Sequence, residues 1–326
     1  MSEKLPTKIA RSNRLLTAAE FQHLAAVPPE VEWFANITNR HTKRAYENAV
    51  KDFMLFAGIR RPEEFRVVTR AHVIAWRDDL GKRLTRRGQP WNDASIRHRL
   101  AALASLFEYL CERNAVTHNV VKGVERPKAE SGEGKTPALG DHQARKLLAA
   151  PAADTLKSKR DRAILSTLLF HALRREELCT LKVKDARHAR KGVPHLKVSG
   201  KGGKVRYLPL HPGTQALIHD YLDAAGHGSD EHGALFRPVK NNTNGRLDNA
   251  ITPDGVYRLV RGYAAELGAA IGAHALRATA ATNALDHEAD IAKVQEWLGH
   301  ANIATTRIYD HRRSRPEDSP TFKVAY

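Results

Sequence analysis

The chain contains little cysteine and no long apolar run. Cys111 and Cys179 are the two cysteines in 326 residues, and both fall within segments of helical periodicity. This usage excludes a disulfide framework and indicates a reducing compartment. No apolar stretch approaches the roughly 18 residues that a membrane helix needs, and the N-terminal residues carry no signal-peptide pattern. We therefore expect a cytoplasmic protein with no membrane partner.

Metal-binding and nucleotide-binding patterns are also missing. No group of Asp and Glu is spaced to hold two metal ions, which is the common arrangement for phosphoryl transfer on DNA. Two cysteines cannot form a cysteine-based zinc site, and His227 with His232 lacks plausible co-ligands. The segment GKGGK lacks the Ser or Thr that completes a P-loop. We expect neither a metal nor any other cofactor.

Acidic residues are scarce relative to basic ones. The chain has 53 Lys and Arg against 36 Asp and Glu, a formal net charge of +17. Such an excess indicates a polyanionic partner, most often nucleic acid. Basic ribosome-associated proteins share this feature, so charge alone leaves the partner open.

Hydrophobic periodicity predicts a chain that is mainly α with a small antiparallel β-sheet. Helical spacing dominates the first 128 residues. A capping pattern at residues 17–20 predicts a short first helix, and Thr42 can cap a later one. Another helix begins near Ser95, and its predicted buried residues are Ile96, Leu100, Leu103, Phe107 and Leu110. A period of two appears only around Gly200–Gly203, where it predicts a hairpin. Residues 126–137 are polar, rich in Gly and Pro, and without periodicity, which is typical of a linker. We predict the following divisions: an N-terminal segment at 1–28, a helical domain at 29–126, a linker at 127–137 and a second domain at 138–326.

Several cations and imidazoles of the second domain lie beside predicted turns or helix starts. Arg174 stands one helical turn before Glu177, a spacing that lets the carboxylate brace a guanidinium aimed at a phosphate. Lys201 lies at the tip of the hairpin, from which its amine could donate a proton, and Lys204 competes for this role. Each feature on its own is more typical of a solvated surface group.

The C-terminal part adds a second such group. His274 and Arg277 fall on one helix face, His300 follows a glycine, and Tyr309 lies nine positions later. The plain interpretation of Tyr309 is a tyrosine that covers the apolar face of a last helix. With two arginines to neutralise a phosphate, the phenol is also a candidate nucleophile, and His274 is a candidate base.

Taken together, these features resemble the tyrosine recombinase family of the phage-integrase type. Arg174 with Glu177, the GKGGK hairpin, HALR, LGH and Tyr309 occur in that family's order. The resemblance covers roughly residues 30–311 and includes its helical core-binding domain, seen in HTKRAYENAVKDFMLFAG and SIRHRLAALASLFEYL. It implies a SAM-like core-binding domain and a catalytic domain that form a C-shaped clamp on DNA, with a C-terminal tail at 312–326. Two departures concern fine geometry: His171-Ala172 replaces a frequent Thr-Gly pair, and Ala278 replaces a frequent histidine.

The resemblance also implies a role for each candidate. Arg174 and Arg277 would hold the scissile phosphate, and His300 would hydrogen-bond one of its oxygens. His274 would be the general base, Lys201 would protonate the departing 5′-hydroxyl, and Glu177 would hold Arg174. Tyr309 would form a 3′-phosphotyrosyl link without ATP or metal.

By the same resemblance, the protein is a site-specific recombinase that integrates, excises or resolves a mobile element. Its partners would be duplex DNA with a specific core site and copies of itself: monomers or dimers when free, and a homotetramer in the synaptic complex. It would be associated with the nucleoid. A topoisomerase of type IB and a non-catalytic DNA-binding accessory protein remain alternatives. Candidate DNA contacts in the helical domain are Lys43, Arg44, Arg86, Arg87, Arg97 and Arg99.

Overall fold

The structure is a computed structural model that describes residues 29–85, 88–128, 137–152, 154–200, 203–240 and 245–310. Arg86, Arg87, Lys201, the predicted helix near residues 17–20 and the tail at 312–326 lie outside the described residues. The chain divides into two compact units, Met1–Ser131 and Gly132–Tyr326. No helix of the described part is both long and apolar enough to cross a membrane.

The first unit is helical. Its helices are α1 (Pro29–Asn36), α2 (Arg40–Ala57), α3 (Arg70–Lys82) and α4 (Asp93–Glu112), with a 3-10 turn at Pro62–Val67. Helix α2 begins two residues before the cap predicted at Thr42, because the Asn39 side chain accepts hydrogen bonds from the amides of His41 and Thr42, each at 3.0 Å. An asparagine that pairs two otherwise unbonded amides is an effective helix start.

Helix α4 supplies most of the core of this unit. Its apolar residues recur at helical spacing, and Leu100, Leu103, Leu106 and Phe107 are each fully buried. They pack with residues of α2 and α3 such as Phe53 and Trp76 in one hydrophobic cluster. The buried stripe on α4 is the one that periodicity predicted.

The second unit combines helices with a small sheet. The helices are α5 (Asp141–Ala149), α6 (Leu156–His171), α7 (Arg175–Thr180), α8 (Pro212–Ala225), α9 (Pro253–Glu266), α10 (Ala273–Asp286), α11 (Ile291–Leu298) and α12 (Ala304–Arg307). Helix α6 is buried on several sides, with Ala163, Ile164, Leu165 and Leu168 all inaccessible. It lies at the centre of the unit, and the candidate residues collect near its C-terminal end.

Within the described residues the sheet is antiparallel, in the order β1 (His188–Arg190), β2 (Val193–Ser199), β3 (Val205–Pro209). Leu196 pairs with Leu208 across β2 and β3, and both side chains face the core. The hairpin closes through the Gly200 amide, which donates to the Lys204 carbonyl at 2.7 Å. The mainly α fold class with a small antiparallel sheet is confirmed. Strand β1 was not predicted, since three residues are too few to display a period of two.

Candidate active site

Arg277 is the most deeply buried charged group of the site. It lies on the inner face of α10, where its side chain is 1% exposed. Its guanidinium donates to the Ala172 carbonyl, just after α6, and to the Leu298 carbonyl, at the end of α11, the latter at 2.5 Å. Nε has no hydrogen-bond partner among the described residues. Burial and the nearby Arg174 lower the pKa of Arg277 to about 10, so the group remains a cation at neutral pH.

Ala172 stands where the family pattern frequently has glycine, and its surroundings account for this departure. Ala172 ends α6 in the left-handed region, with φ 49°, where glycine is the usual residue. A side chain there costs about 1–2 kcal/mol. Two contacts offset this cost: the Ala172 carbonyl accepts a hydrogen bond from the Arg277 guanidinium, and the Ala172 methyl group is fully buried. The backbone conformation that Thr-Gly would allow is therefore present without the glycine.

Arg174 is braced as its spacing to Glu177 predicted. It caps α7, and its Nη1 donates to Glu177 Oε1 at 2.8 Å while its backbone amide donates to Oε2 at 2.9 Å. Glu177 is 4% exposed, so this carboxylate is a buried anion. Among the described residues, the Nε and Nη2 groups of Arg174 have no hydrogen-bond partner, which leaves one edge of its guanidinium available to a ligand.

His300 follows Gly299, which ends α11 in the left-handed region with φ 66°. Its Nε2 lies 3.0 Å from Nη2 of Arg277, and its Nδ1 lies 3.0 Å from the Thr306 hydroxyl. An arginine can only donate, so Nε2 accepts and the ring proton sits on Nδ1. Burial, then Arg277, Arg174 and nearby charges, lower the pKa of His300 to about 4. His300 is thus neutral in this state.

His274 lies on the first turn of α10, three residues before Arg277, and is solvent-exposed. It lines a cavity of about 480 Å³ together with Arg174 and Tyr257. Partial desolvation, then the charges of Arg277 and Arg174, lower its pKa, so it too is neutral at physiological pH. A neutral, accessible imidazole beside two arginines is able to accept a proton.

Tyr309 lies just after α12 and is 4% exposed. It packs in an apolar cluster with Ala172, Ala278, Leu285 and Leu298, as the plain interpretation of this tyrosine expected. The same ring lies 6.3 Å, between centroids, from that of His300. Burial raises the pKa of the Tyr309 phenol, and the charges of Arg277 and Arg174 oppose that rise. Tyr309 is therefore both a packing residue and a neighbour of the cationic group.

A second cavity, of about 750 Å³, opens on the other side of Arg174. His300, Lys204 and Arg206 line it together with Glu177. Lys201, which would lie at the tip of the hairpin, is outside the described residues. Lys204, its competitor, is exposed at the rim of this cavity.

Arg206 was missed by sequence reasoning. Its Nη2 lies 2.8 Å from Glu177 Oε2, and its Nη1 donates to the Trp297 carbonyl at 3.0 Å. A signal was present: Arg206 is two residues before Leu208, so it shares the inward face of β3 in a strand that contains no acid. A cation in that position requires a partner from another element.

The candidate DNA contacts of the helical unit differ in their surroundings. Among the described residues, the side chains of Lys43 and Arg44 on α2 make no ion pair or hydrogen bond, and Arg44 is exposed. Arg97 donates to the Pro127 carbonyl at 2.9 Å. Arg99 lies 3.2 Å from Asp52 and stacks on Trp91, so both of these arginines already have intramolecular partners.

Comparison with known proteins identifies the family. Residues 138–315 match the phage integrase family, and residues 36–114 match the phage integrase N-terminal SAM-like domain. The chain belongs to the phage integrase family. It is 32% identical over 274 residues to tyrosine recombinase XerC of Pelobacter propionicus, covering 83% of this chain and 84% of the relative. It is 30% identical over 276 residues to tyrosine recombinase XerD of Listeria monocytogenes, covering 83% and 88%. The resemblance is confirmed, and the protein is a tyrosine site-specific recombinase.

Solved recombinases share the fold. XerH bound to a palindromic difH substrate in a post-cleavage complex superposes with a TM-score of 0.64 at 22% identity, covering 82% of this chain and 76% of that one. A lambda integrase dimer bound to a core site superposes with a TM-score of 0.63 at 15% identity, covering 88% and 80%. At these identities the likeness establishes the two-domain recombinase fold.

The state of His300 leads to a pH prediction. Its pKa is about 4 in the folded protein against about 6.5 for an unfolded chain, so protonation favours unfolding. The contribution of His300 to the free energy of unfolding is fully present above pH 6.5 and declines as the pH falls toward 4. We expect the unfolding free energy of wild type to fall more steeply in that window than that of His300→Gln, as measured by urea unfolding. Nitrogen-15 NMR should show a neutral His300 with its proton on Nδ1 at pH 5.5. Protonation of His300 near pH 6.5 would contradict this assignment.

Proposed function

We propose that this recombinase breaks and rejoins duplex DNA through a 3′-phosphotyrosyl intermediate at Tyr309. One observation carries the proposal: Arg277, buried and hydrogen-bonded to His300, lies with Arg174 close enough to Tyr309 to act on its pKa. Two guanidinium groups beside a phenol are suited to a reaction in which negative charge develops on a phosphate. Stabilisation of that charge usually contributes more to catalysis than any other single effect.

The proposed first step exchanges one phosphodiester for another. The Tyr309 oxygen attacks phosphorus, the bond from phosphorus to the 5′-oxygen breaks, and the strand ends in a 3′-phosphotyrosine. The phenol proton passes to His274, and the departing 5′-oxygen takes a proton from Lys201. In the second step a 5′-hydroxyl of the partner strand attacks phosphorus, and the bond from phosphorus to the Tyr309 oxygen breaks. Lys201 takes up the hydroxyl proton, and His274 returns a proton to the phenol. Each step conserves the number of ester bonds, so strand joining needs no energy source.

The geometry of the described state sets two conditions on this reaction. Tyr309 is 4% exposed and does not line the cavity beside His300, so α12 and the residues after it must shift before the phenol reaches DNA. His300 accepts from Arg277 at Nε2, so that nitrogen must gain a proton before it can donate to a phosphate oxygen. Binding of a phosphate between Arg277 and His300 would favour both the proton and the separation of the two side chains.

We further propose that the partner is duplex DNA carrying a specific core site, bound by four copies of the chain during strand exchange. The net charge of +17 supports a polyanionic partner. XerH and lambda integrase, which share the fold, were both solved on their DNA sites, and the lambda protein was solved as a dimer. Lys43 and Arg44 are the described contacts we favour in the helical unit. Binding should weaken with salt, by roughly 0.9 in the log–log slope for each neutralised phosphate.

The two family matches also support separate roles for the two domains. We propose that residues 29–126 form the core-binding domain and residues 138–326 the catalytic domain. The matched ranges, 36–114 and 138–315, support these boundaries. Integration, excision and resolution of a mobile element all require this chemistry.

The nucleophile assignment is tested by Tyr309→Phe. Purified protein is incubated in EDTA with nicked duplexes that tile the DNA flanking its gene, then denatured and separated by electrophoresis. We expect wild type to form a covalent adduct and the variant to form none, while both bind the duplexes with the same salt dependence. Tyr263→Phe is the matched control, because its hydroxyl contacts Lys157 and Asp161 and none of the candidate residues. An adduct with the Phe variant would refute the assignment, and binding without any adduct in wild type would favour an accessory DNA-binding protein.

The general acid is tested by a leaving group that needs no proton. We expect Lys201→Ala to slow cleavage of ordinary DNA by about 10²- to 10⁴-fold, the usual contribution of a general acid. A substrate with sulfur in place of the 5′-bridging oxygen releases a thiolate, whose conjugate acid has a pKa of about 8.5. Single-turnover cleavage of this substrate should be close to wild type. Lys204→Ala is the matched control, and rescue of that variant instead of Lys201→Ala would assign the acid to Lys204.

A further inference from the structure

Arg206 links three parts of the site through one guanidinium. It lies on β3 with its side chain 13% exposed, on the inward face of the strand that leads away from the hairpin tip. One edge of the guanidinium meets Glu177 at the start of α7, and the other donates to the Trp297 carbonyl at the end of α11. Arg206 has no role in the reaction proposed above.

At Glu177, Arg206 shares a buried carboxylate with Arg174. Nη1 of Arg174 donates a hydrogen bond to Oε1 of Glu177 at 2.8 Å. Nη2 of Arg206 lies 2.8 Å from Oε2 as an ion pair without hydrogen-bond geometry. Without Arg206, the Arg174 backbone amide would be the one remaining partner of Oε2 among the described residues. A buried anion with few partners is costly, which favours recruitment of further donors. Arg174 already contacts Glu177 through Nη1, so its unpaired edge is a donor that we expect to turn onto Oε2 and away from a phosphate.

At α11, Arg206 helps to place His300. The last carbonyls of a helix lack intrahelical donors, and here Arg206 binds that of Trp297 while Arg277 binds that of Leu298. The contact is close, since a Cβ built on Gly299 would lie 2.5 Å from Nη1 of Arg206. The φ of 66° favours glycine at position 299, and a side chain there would displace the Arg206 guanidinium. His300 is the next residue, so its backbone position depends on Arg206.

We propose that Arg206 is a positioning residue that keeps Arg174 and His300 in place for the scissile phosphate. This inference rests on the function proposed above. Arg206 occupies one carboxylate oxygen of Glu177 so that Arg174 retains a free edge, and it anchors the end of α11 so that His300 stays beside Arg277. It acts through these residues and does not itself take part in the reaction.

Two variants separate positioning from charge. Arg206→Lys keeps the positive charge, but an ammonium on a flexible stem cannot reproduce the planar fork that spans the two acceptors. Arg206→Gln keeps a neutral donor and removes the charge. The matched control is Arg237→Lys in the same unit, because Arg237 is similarly buried, with its side chain 15% exposed, and joins Asp230 to the Ala234 carbonyl away from the candidate residues.

The experiment measures single-turnover cleavage of the duplex that wild type traps, together with its Kd and the thermal midpoint of each variant. We expect Arg206→Lys to slow cleavage by about 10- to 100-fold, the cost of misplacing a reacting group by roughly 1 Å, with Kd within about twofold of wild type. Arg237→Lys should cleave at the wild-type rate. The double variant with Arg206→Lys and Arg174→Lys is also measured. The factor by which its cleavage rate falls should be smaller than the product of the factors for the two single variants, because Arg206 acts through Arg174.

The outcomes separate this inference from the proposed function. If wild type forms no adduct, the proposed function fails, and the inference that rests on it falls as well. If wild type forms the adduct and Arg206→Lys cleaves at the wild-type rate, the positioning role alone is refuted. The same holds if the rate loss of the double variant equals the product of the two single losses to within about twofold. Should Arg206→Lys unfold, Arg206→Gln takes its place in the cycle. Should neither variant fold, Arg206 has a structural role only and the proposal is overturned.

Discussion

The second unit depends on a buried arginine. Arg277 is 1% exposed, and no carboxylate of the described residues contacts it directly; instead it donates to carbonyls at the ends of α6 and α11. Those carbonyls lie at the negative ends of helix dipoles, which compensate part of the cost of removing a cation from water. Because the compensation comes from two helices, the position of the charge depends on both of them. The residues after each helix, Leu173-Arg174 and Gly299-His300, are therefore oriented around the Arg277 guanidinium.

This arrangement concentrates positive charge without neutralising it fully. Glu177 is shared between Arg174 and Arg206, while Arg277 forms no ion pair within the part of the chain that the structure describes. Burial and these same charges lower the pKa values of His274 and His300, so both imidazoles are neutral. Nε2 of His300 already accepts from Arg277, whereas His274 is exposed and able to accept a proton. An anion that enters beside Arg174 would relieve the repulsion among these groups. Tyr309 is buried, and burial raises the pKa of its phenol, so it is neutral in this state.

Much of this was predictable from sequence because it depends on local spacing. Helical periodicity located α4 and its buried face, and the brace between Arg174 and Glu177 follows from a separation of three residues at a helix start. Contacts between distant segments were not predictable in this way. Arg206 acquires its partners from α7 and α11, and Arg99 acquires Asp52 and Trp91 from other parts of the first unit. The neutral state of His300 depends likewise on its burial and on the position of Arg277, which only the tertiary fold determines.

The central claim is that the Tyr309 oxygen carries the DNA strand. The most direct test is to digest a trapped adduct with trypsin and nuclease and to locate the nucleotide by mass spectrometry. Cleavage after Arg307 and Arg312 releases IYDHR, a peptide with a single tyrosine. We expect that peptide to carry a nucleotide joined through its 3′-phosphate to Tyr309. A nucleotide on any other residue, or one joined through a 5′-phosphate, would contradict this account.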